Sequence, residues 1–133
     1  MNLVFYGHHK AATSWLSGNF VNLARDAGWQ SCGLNQLHFG EEERARVQEC
    51  EASGRSTFYL ATNSCWEDRE CFPNSKGIHL IRDPKDMIIS AYYSHRDTHP
   101  LFPGLAEERA KLQEASFEDG LVIVIEGITA RER

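Results

Sequence analysis

No apolar run in this sequence approaches the roughly 20 residues a helix needs to cross a bilayer, so no membrane span is expected. Met1-Asn2 leads straight into Leu3-Val4-Phe5-Tyr6 without the basic segment that opens a secretory leader, and the expected location is the cytoplasm. Positive charge is not in excess either. Lys and Arg number 14 against 19 Asp and Glu, a formal net charge of −5, which argues against charge-driven binding of nucleic acid. A local phosphate pocket stays open, because it needs only a few donors. Internal repeats and low-complexity tracts are missing. The four cysteines, Cys32, Cys50, Cys65 and Cys71, lack the close pairing of common zinc motifs, so no metal is expected. Free thiols are the default in a cytosolic chain, although the spacing leaves a Cys65–Cys71 disulfide open.

What remains is an ordinary globular composition, 41% apolar and 25% charged, in 133 residues. That length suits a single domain over 1–133. Residues 2–6 read as a buried strand ending at Gly7. From Thr13 the apolar positions Trp15, Leu16, Phe20, Leu23, Ala24 and Ala27 recur near one helical face, and Gly28 marks a stop. A short strand is expected over 29–32, and a helix over 41–52 that opens on three glutamates. Further strands are expected over 57–61 and 78–81, separated by a polar loop over 63–76. Pro84 then suits the first position of a helix reaching about His95. Another helix is expected near 105–115, and 117–127 suits either a helix or, given its β-branched run, a strand.

Alternating strands and helices predict an α/β fold with a mainly parallel sheet of about four strands flanked by helices. Ligands in such sheets sit beyond the carboxyl ends of the strands. Two segments start at such ends, Gly7 to Ser14 and Asp83 to Ser90, and the topology is expected to bring them to one edge.

The first segment reads Gly7-His8-His9-Lys10-Ala11-Ala12-Thr13-Ser14-Trp15-Leu16. A turn that leaves a strand and opens a helix aims backbone N–H groups at one spot, and the helix dipole adds positive potential. Ala11 and Ala12 let an anion approach the backbone. Lys10 brings a full charge, and Thr13 and Ser14 bring hydroxyl donors. The same residues would also suit a plain capped helix start. The loop departs from the triphosphate pattern, in which Gly-Lys is followed at once by Ser or Thr. It resembles the 5′-phosphosulfate loop of sulfotransferases, Lys-x-Gly/Ala-Thr-Thr/Ser-x-Leu, at Lys10, Ala12, Thr13, Ser14 and Leu16.

The second segment reads Ile81-Arg82-Asp83-Pro84-Lys85-Asp86, followed by Ser90 and the pair Tyr92-Tyr93. An arginine at a strand end grips phosphate with a planar fork. Asp83 suits an N-cap or an ion pair that orients Arg82. This stretch resembles the sulfotransferase 3′-phosphate motif, Arg-Asp-Pro-Arg/Lys-Asp with a later serine and an aromatic pair. Together the motifs imply a P-loop-like sulfotransferase fold, in a short or truncated member of that family. They imply 3′-phosphoadenosine-5′-phosphosulfate as co-substrate, with His9, Lys10, Ala11, Ala12, Thr13, Ser14, Trp15, Arg82 and Ser90 as its binding residues. A small-molecule or carbohydrate acceptor follows from the same resemblance.

Sulfuryl transfer also needs a base and a positive charge on the leaving phosphate. Lys10 fits the second task. For the first, the stretch Asn35-Gln36-Leu37-His38-Phe39 resembles a family element whose glutamate position holds Gln36 here, which leaves His38 as the candidate base. His8 and His9 lie in the loop, and His79, between apolar neighbours, reads as structural. The family's later glycine-rich donor-covering element has no counterpart after Ser90. An incomplete sheet would expose apolar surface, which a homodimer would cover. A kinase-like phosphotransferase and a non-catalytic nucleotide-binding remnant are the competing readings.

Overall fold

The structure is a computed structural model that describes residues 1–8, 10–34, 39–63, 66–72 and 74–131, with backbone alone at 66, 67, 130 and 131. It divides into two compact units, Met1–Ile81 and the chain from Arg82 onward.

The first unit is α/β. Strands β1 (Asn2–Gly7), β2 (Gln30–Leu34), β3 (Thr57–Thr62) and β4 (Ser75–His79) form one sheet in the order β2-β3-β1-β4. All three pairings are parallel. Helix α1 (Thr13–Asp26) connects β1 to β2, and α2 (Glu41–Ala52) connects β2 to β3. A 3₁₀ turn, Trp66–Cys71, lies between β3 and β4. The class is therefore the expected one, a parallel four-stranded sheet flanked by helices.

Alternation along the strands builds a core on each face of the sheet. Leu3 and Phe5 of β1 join Phe58 and Leu60 of β3 against Leu16, Phe20 and Ala24 of α1. Val4, Tyr59 and Ala61 point the other way, to Val47 of α2 and to Phe39 and Phe72. Phe5 and Tyr59 are fully buried, and removing such a side chain from water contributes about 1.5–3 kcal/mol. Trp15 and Leu23, expected on the apolar face of α1, are instead 70% and 62% exposed. The buried stripe runs through Leu16, Phe20 and Ala24 at four-residue spacing, and Trp15 and Leu23 each lie one residue, about 100° of helix, away from it.

Helix α2 opens with the return half of a capping box, since Gly40 has no side chain to supply the other bond. The Gly40 N–H donates to Glu43 Oε2 at 3.0 Å, while Glu41, Glu42 and Glu43 occupy the positive end of the helix. Strand β4 begins three residues earlier than expected and ends two residues earlier. Its register pairs Asn2 with Ser75 and Tyr6 with His79. Ser75, Lys76 and Gly77 carry little strand preference, and backbone pairing to β1 holds them extended.

The second unit is helical. It contains α3 (Pro84–Tyr93), a π turn (Ser94–Thr98), α4 (Leu105–Glu114) and α5 (Phe117–Arg131). The segment left open between helix and strand is thus a helix. Ala91, Tyr92, Leu112 and Val124 form the unit's buried core, with Ile88, Leu121, Ile123 and Ile128 packed around it. Buried His95 contacts Glu108 at 2.7 Å, and Arg109 donates to the carbonyls of His95 and His99. No helix among the described residues is long and apolar enough to cross a membrane.

Candidate functional site: the loop after the first strand

Central β1 ends at Gly7, and the chain turns into α1 within six residues. The turn is tight because its bonds converge on one atom. The His8 carbonyl accepts both the Ala11 N–H, at 3.3 Å, and the Thr13 hydroxyl, at 2.6 Å. The Thr13 hydroxyl proton, expected to face an anion, therefore closes the loop here. Lys10 and Ala12 have left-handed backbones, with φ of 60° and 56°. For non-glycine residues that conformation costs on the order of 1 kcal/mol each, and such strain concentrates at binding loops. Left-handed residues also turn neighbouring N–H groups into a shared concavity of the type that holds anions.

No side chain caps α1. The Leu16 N–H makes the first bond of the helix, to the Ala12 carbonyl at 3.1 Å. The N–H groups of Thr13, Ser14 and Trp15 precede that ladder, at the positive end of the dipole. Ala11 is buried and Ser14 is exposed. Lys10 is half-buried, and burial pushes its ammonium down from the ordinary lysine value. An anion beside Lys10 would favour its charged form and offset that penalty.

The neighbouring strands add groups at the same carboxyl edge. The Asn63 N–H, just after β3, donates to the Gly7 carbonyl at 2.8 Å. His79 closes β4 opposite Tyr6, and its Nε2 is in hydrogen-bond contact with Nε2 of His8. The two imidazole centroids lie 4.8 Å apart. Sequence reasoning missed this pair because it placed His79 inside the strand, not at its end. The parallel register with β1 was the signal that would have found it.

The second unit carries the other predicted donor residues. The Asp83 side chain accepts the Lys85 N–H at 2.9 Å and caps α3, with Pro84 in the first turn. Arg82 makes its ion pair with Asp86, at 3.9 Å. Of the roles open to Asp83, the cap is the one observed. Ser90 is half-buried on α3, next to buried Ala91. Lys10, Ala11, Ala12, Thr13, Ser14 and Trp15 thus belong to one continuous stretch, the loop and the first turn of α1, in the first unit, and in the second Arg82 precedes the Asp83 cap of α3 while Ser90 lies within the helix. His9 and His38 lie outside the described residues, as does Cys65.

No family model, curated protein or solved structure matches this chain. The chemistry of the site therefore rests on its own residues. Cys32, Cys50 and Cys71 are free thiols. Arg44 donates to the Cys71 sulfur at 3.2 Å. Among the described residues no group of three or more His, Cys, Asp or Glu is placed to hold a metal ion.

Proposed function

We propose that the chain binds 3′-phosphoadenosine-5′-phosphosulfate and transfers its sulfuryl group to a hydroxyl or amine. The observation that carries this reading is the half-buried Lys10, set between strand β1 and the uncapped start of α1 in a loop with left-handed backbone at Lys10 and Ala12. On this reading Lys10 and the N–H groups around Thr13 and Ser14 take the 5′ end of the donor. Arg82 and Ser90 take the 3′-phosphate.

In the transfer, the acceptor oxygen or nitrogen attacks sulfur. The bond from sulfur to the bridging phosphate oxygen breaks, and its electron pair stays on the leaving phosphate. Positive charge at Lys10 stabilises that developing anion. The acceptor's proton passes to a base, for which His38 is the proposed group. The acceptor is a small molecule or carbohydrate, the setting cytoplasmic, and a second copy of the chain is the proposed partner.

Calorimetry with 3′,5′-adenosine bisphosphate and with ATP tests the reading. The bisphosphate is expected to bind without magnesium and more tightly than ATP. A preference for ATP, or a strict need for magnesium, would assign the loop to phosphoryl chemistry instead.

A further inference from the structure

Strand β2 and helix α2 carry one cysteine each, and both cysteines face the same core. Cys32 and Leu34 point from β2 towards α2, where Val47 and Cys50 lie three residues apart on one helical face. Cys32 is buried and Cys50 half-buried. The two thiols are hydrogen-bonded to each other. A second residue fastens the last turn of α2 over β2. Gln30, on the same strand face as Cys32, donates through Nε2 to the Cys50 carbonyl at 3.0 Å and to Ser53 Oγ at 2.7 Å. Two thiols held in contact, one on a strand and one on the helix anchored to it, meet the proximity that a disulfide requires. Cys71 is placed differently. It lies on the 3₁₀ turn, and Arg44 donates to its sulfur.

Burial separates the roles of the pair. Cys50 reaches solvent and is the thiol that an oxidant meets first. Burial, and after it Cys50, push the Cys32 thiol up to about 11, so Cys32 stays protonated and shielded while Cys50 is reduced. With hydrogen peroxide as oxidant, the Cys50 sulfur attacks one peroxide oxygen and the O–O bond breaks. The departing hydroxide takes the thiol proton as water, and Cys50 becomes a sulfenic acid. A sulfenic acid is neutral, so the charge at Cys50 that opposed a Cys32 thiolate is gone. The Cys32 sulfur then attacks the Cys50 sulfur. The S–O bond breaks, and hydroxide leaves as water with the Cys32 proton. Two thiols and one peroxide thus give one disulfide and two waters, and the two electrons pass to the peroxide.

We propose that Cys32 and Cys50 are a peroxide-responsive dithiol whose disulfide locks α2 onto β2. The inference is independent of the donor reading, since it uses no residue of the loop after β1. The bond closes a loop over residues 32–50, which restricts the unfolded chain and stabilises the first unit. Reduction by a small dithiol reopens it.

The test treats the full chain with hydrogen peroxide, blocks remaining thiols with iodoacetamide and digests with trypsin without reductant. The cysteines fall in separate tryptic peptides, 26–44, 47–55, 56–69 and 70–76, so mass spectrometry identifies each partner. Peptides 26–44 and 47–55 are expected to be joined, two hydrogens lighter than their sum, and released by dithiothreitol. The urea midpoint of the oxidised chain should rise by roughly 1–2 M and fall back on reduction. Cys50→Ser should lose both the cross-link and the rise, and Cys71→Ser should keep both. Cys32→Ala removes the buried partner and serves as the second variant, with the same losses expected. A bond from Cys50 to Cys65 or Cys71, or between two copies of the chain, overturns the pair. So does Cys50 that advances to sulfinic acid while Cys32 stays reduced. A cross-link that leaves the midpoint unchanged or lowers it overturns the lock.

Discussion

Gly7 and Thr13 meet so closely that no side chain fits between them. A Cβ on Gly7 would overlap Cγ2 of Thr13 and lie 2.9 Å from its Oγ1 and from Cε1 of Phe5. Thr13 cannot retreat without releasing the His8 carbonyl. Gly7→Ala should therefore cost about 1–3 kcal/mol, as overpacking typically does, and open the loop. Thr13→Ser removes the overlapping methyl and keeps the hydroxyl. The double variant should recover part of the loss, as a double-mutant cycle by urea denaturation would show. Strict additivity would refute the coupling.

Gly120 plays a comparable part in the second unit. An added Cβ would overlap Cε2 of Tyr92 and lie 3.1 Å from its Cδ2. Gly120→Ala should lower the midpoint of thermal unfolding despite the better helix propensity of alanine. The two effects have opposite sign, and the clash of about 1–3 kcal/mol exceeds the propensity gain of about 1 kcal/mol. An unchanged or raised midpoint would mean that Tyr92 moves aside freely.

These contacts bear on what could be read from the sequence alone. The strand–turn–helix at residues 2–26 was legible, because an apolar run, a glycine and a helical stripe follow one another. The capping role of Asp83 was visible as one of two alternatives. The strand Ser75–His79 was legible only at its end, where it overlaps the strand expected over 78–81, because Ser75, Lys76 and Gly77 pair through backbone and carry no period of their own. Helix α5 was ambiguous for a different reason. Its run Val122-Ile123-Val124-Ile125 favours strand locally. Leu121, Val124 and Ile128 bury at helical spacing in the core that contains Tyr92, and tertiary packing overrides the local preference. The His8–His79 contact needed the register of β1 against β4, which no local pattern supplies.

Arg109 supports two carbonyls at once, donating to His95 at 2.7 Å and to His99 at 2.6 Å. Arg109→Met should destabilise the second unit by roughly 2–3 kcal/mol, since both acceptors lose a charged donor. Arg109→Lys should restore only part of this, because an ammonium lacks the fork that spans both acceptors. Full rescue by lysine in a chemical-denaturation series would contradict the two-carbonyl role.

Alkaline pH should weaken the first unit. Burial and the neighbouring Cys50 push the Cys32 thiol up to about 11, from 9.0. Burial and the hydrogen bond to Glu51 raise the Tyr59 phenol well above its ordinary 10.0. Both groups hold protons in the folded chain that the unfolded chain releases. The unfolded state then binds fewer protons, and stability falls as pH rises above about 9. Denaturation midpoints across pH 7 to 11 would check the direction. At pH 8, iodoacetamide should spare Cys32 in the native chain and label it in urea, as mass spectrometry would report.

The donor reading separates two arginine- and lysine-dependent effects. Arg82→Ala should weaken the 3′,5′-bisphosphate strongly and leave adenosine 5′-monophosphate nearly unchanged. Lys10→Ala should weaken both. Equal losses on Arg82→Ala for the two ligands would remove the 3′-phosphate assignment, whatever the outcome at Lys10.

The central place of β1 also sets an order of events during synthesis. Asn2 pairs with Thr57 on one side and with Ser75 on the other. The first strand made is thus the last to be enclosed, and it waits for both neighbours to leave the ribosome. Until then Leu3-Val4-Phe5-Tyr6 is an apolar strand with two open edges, the kind of segment that recruits chaperones or aggregates. Yield from the cell should therefore respond to translation rate and chaperone supply more steeply than the stability of the finished sheet would suggest.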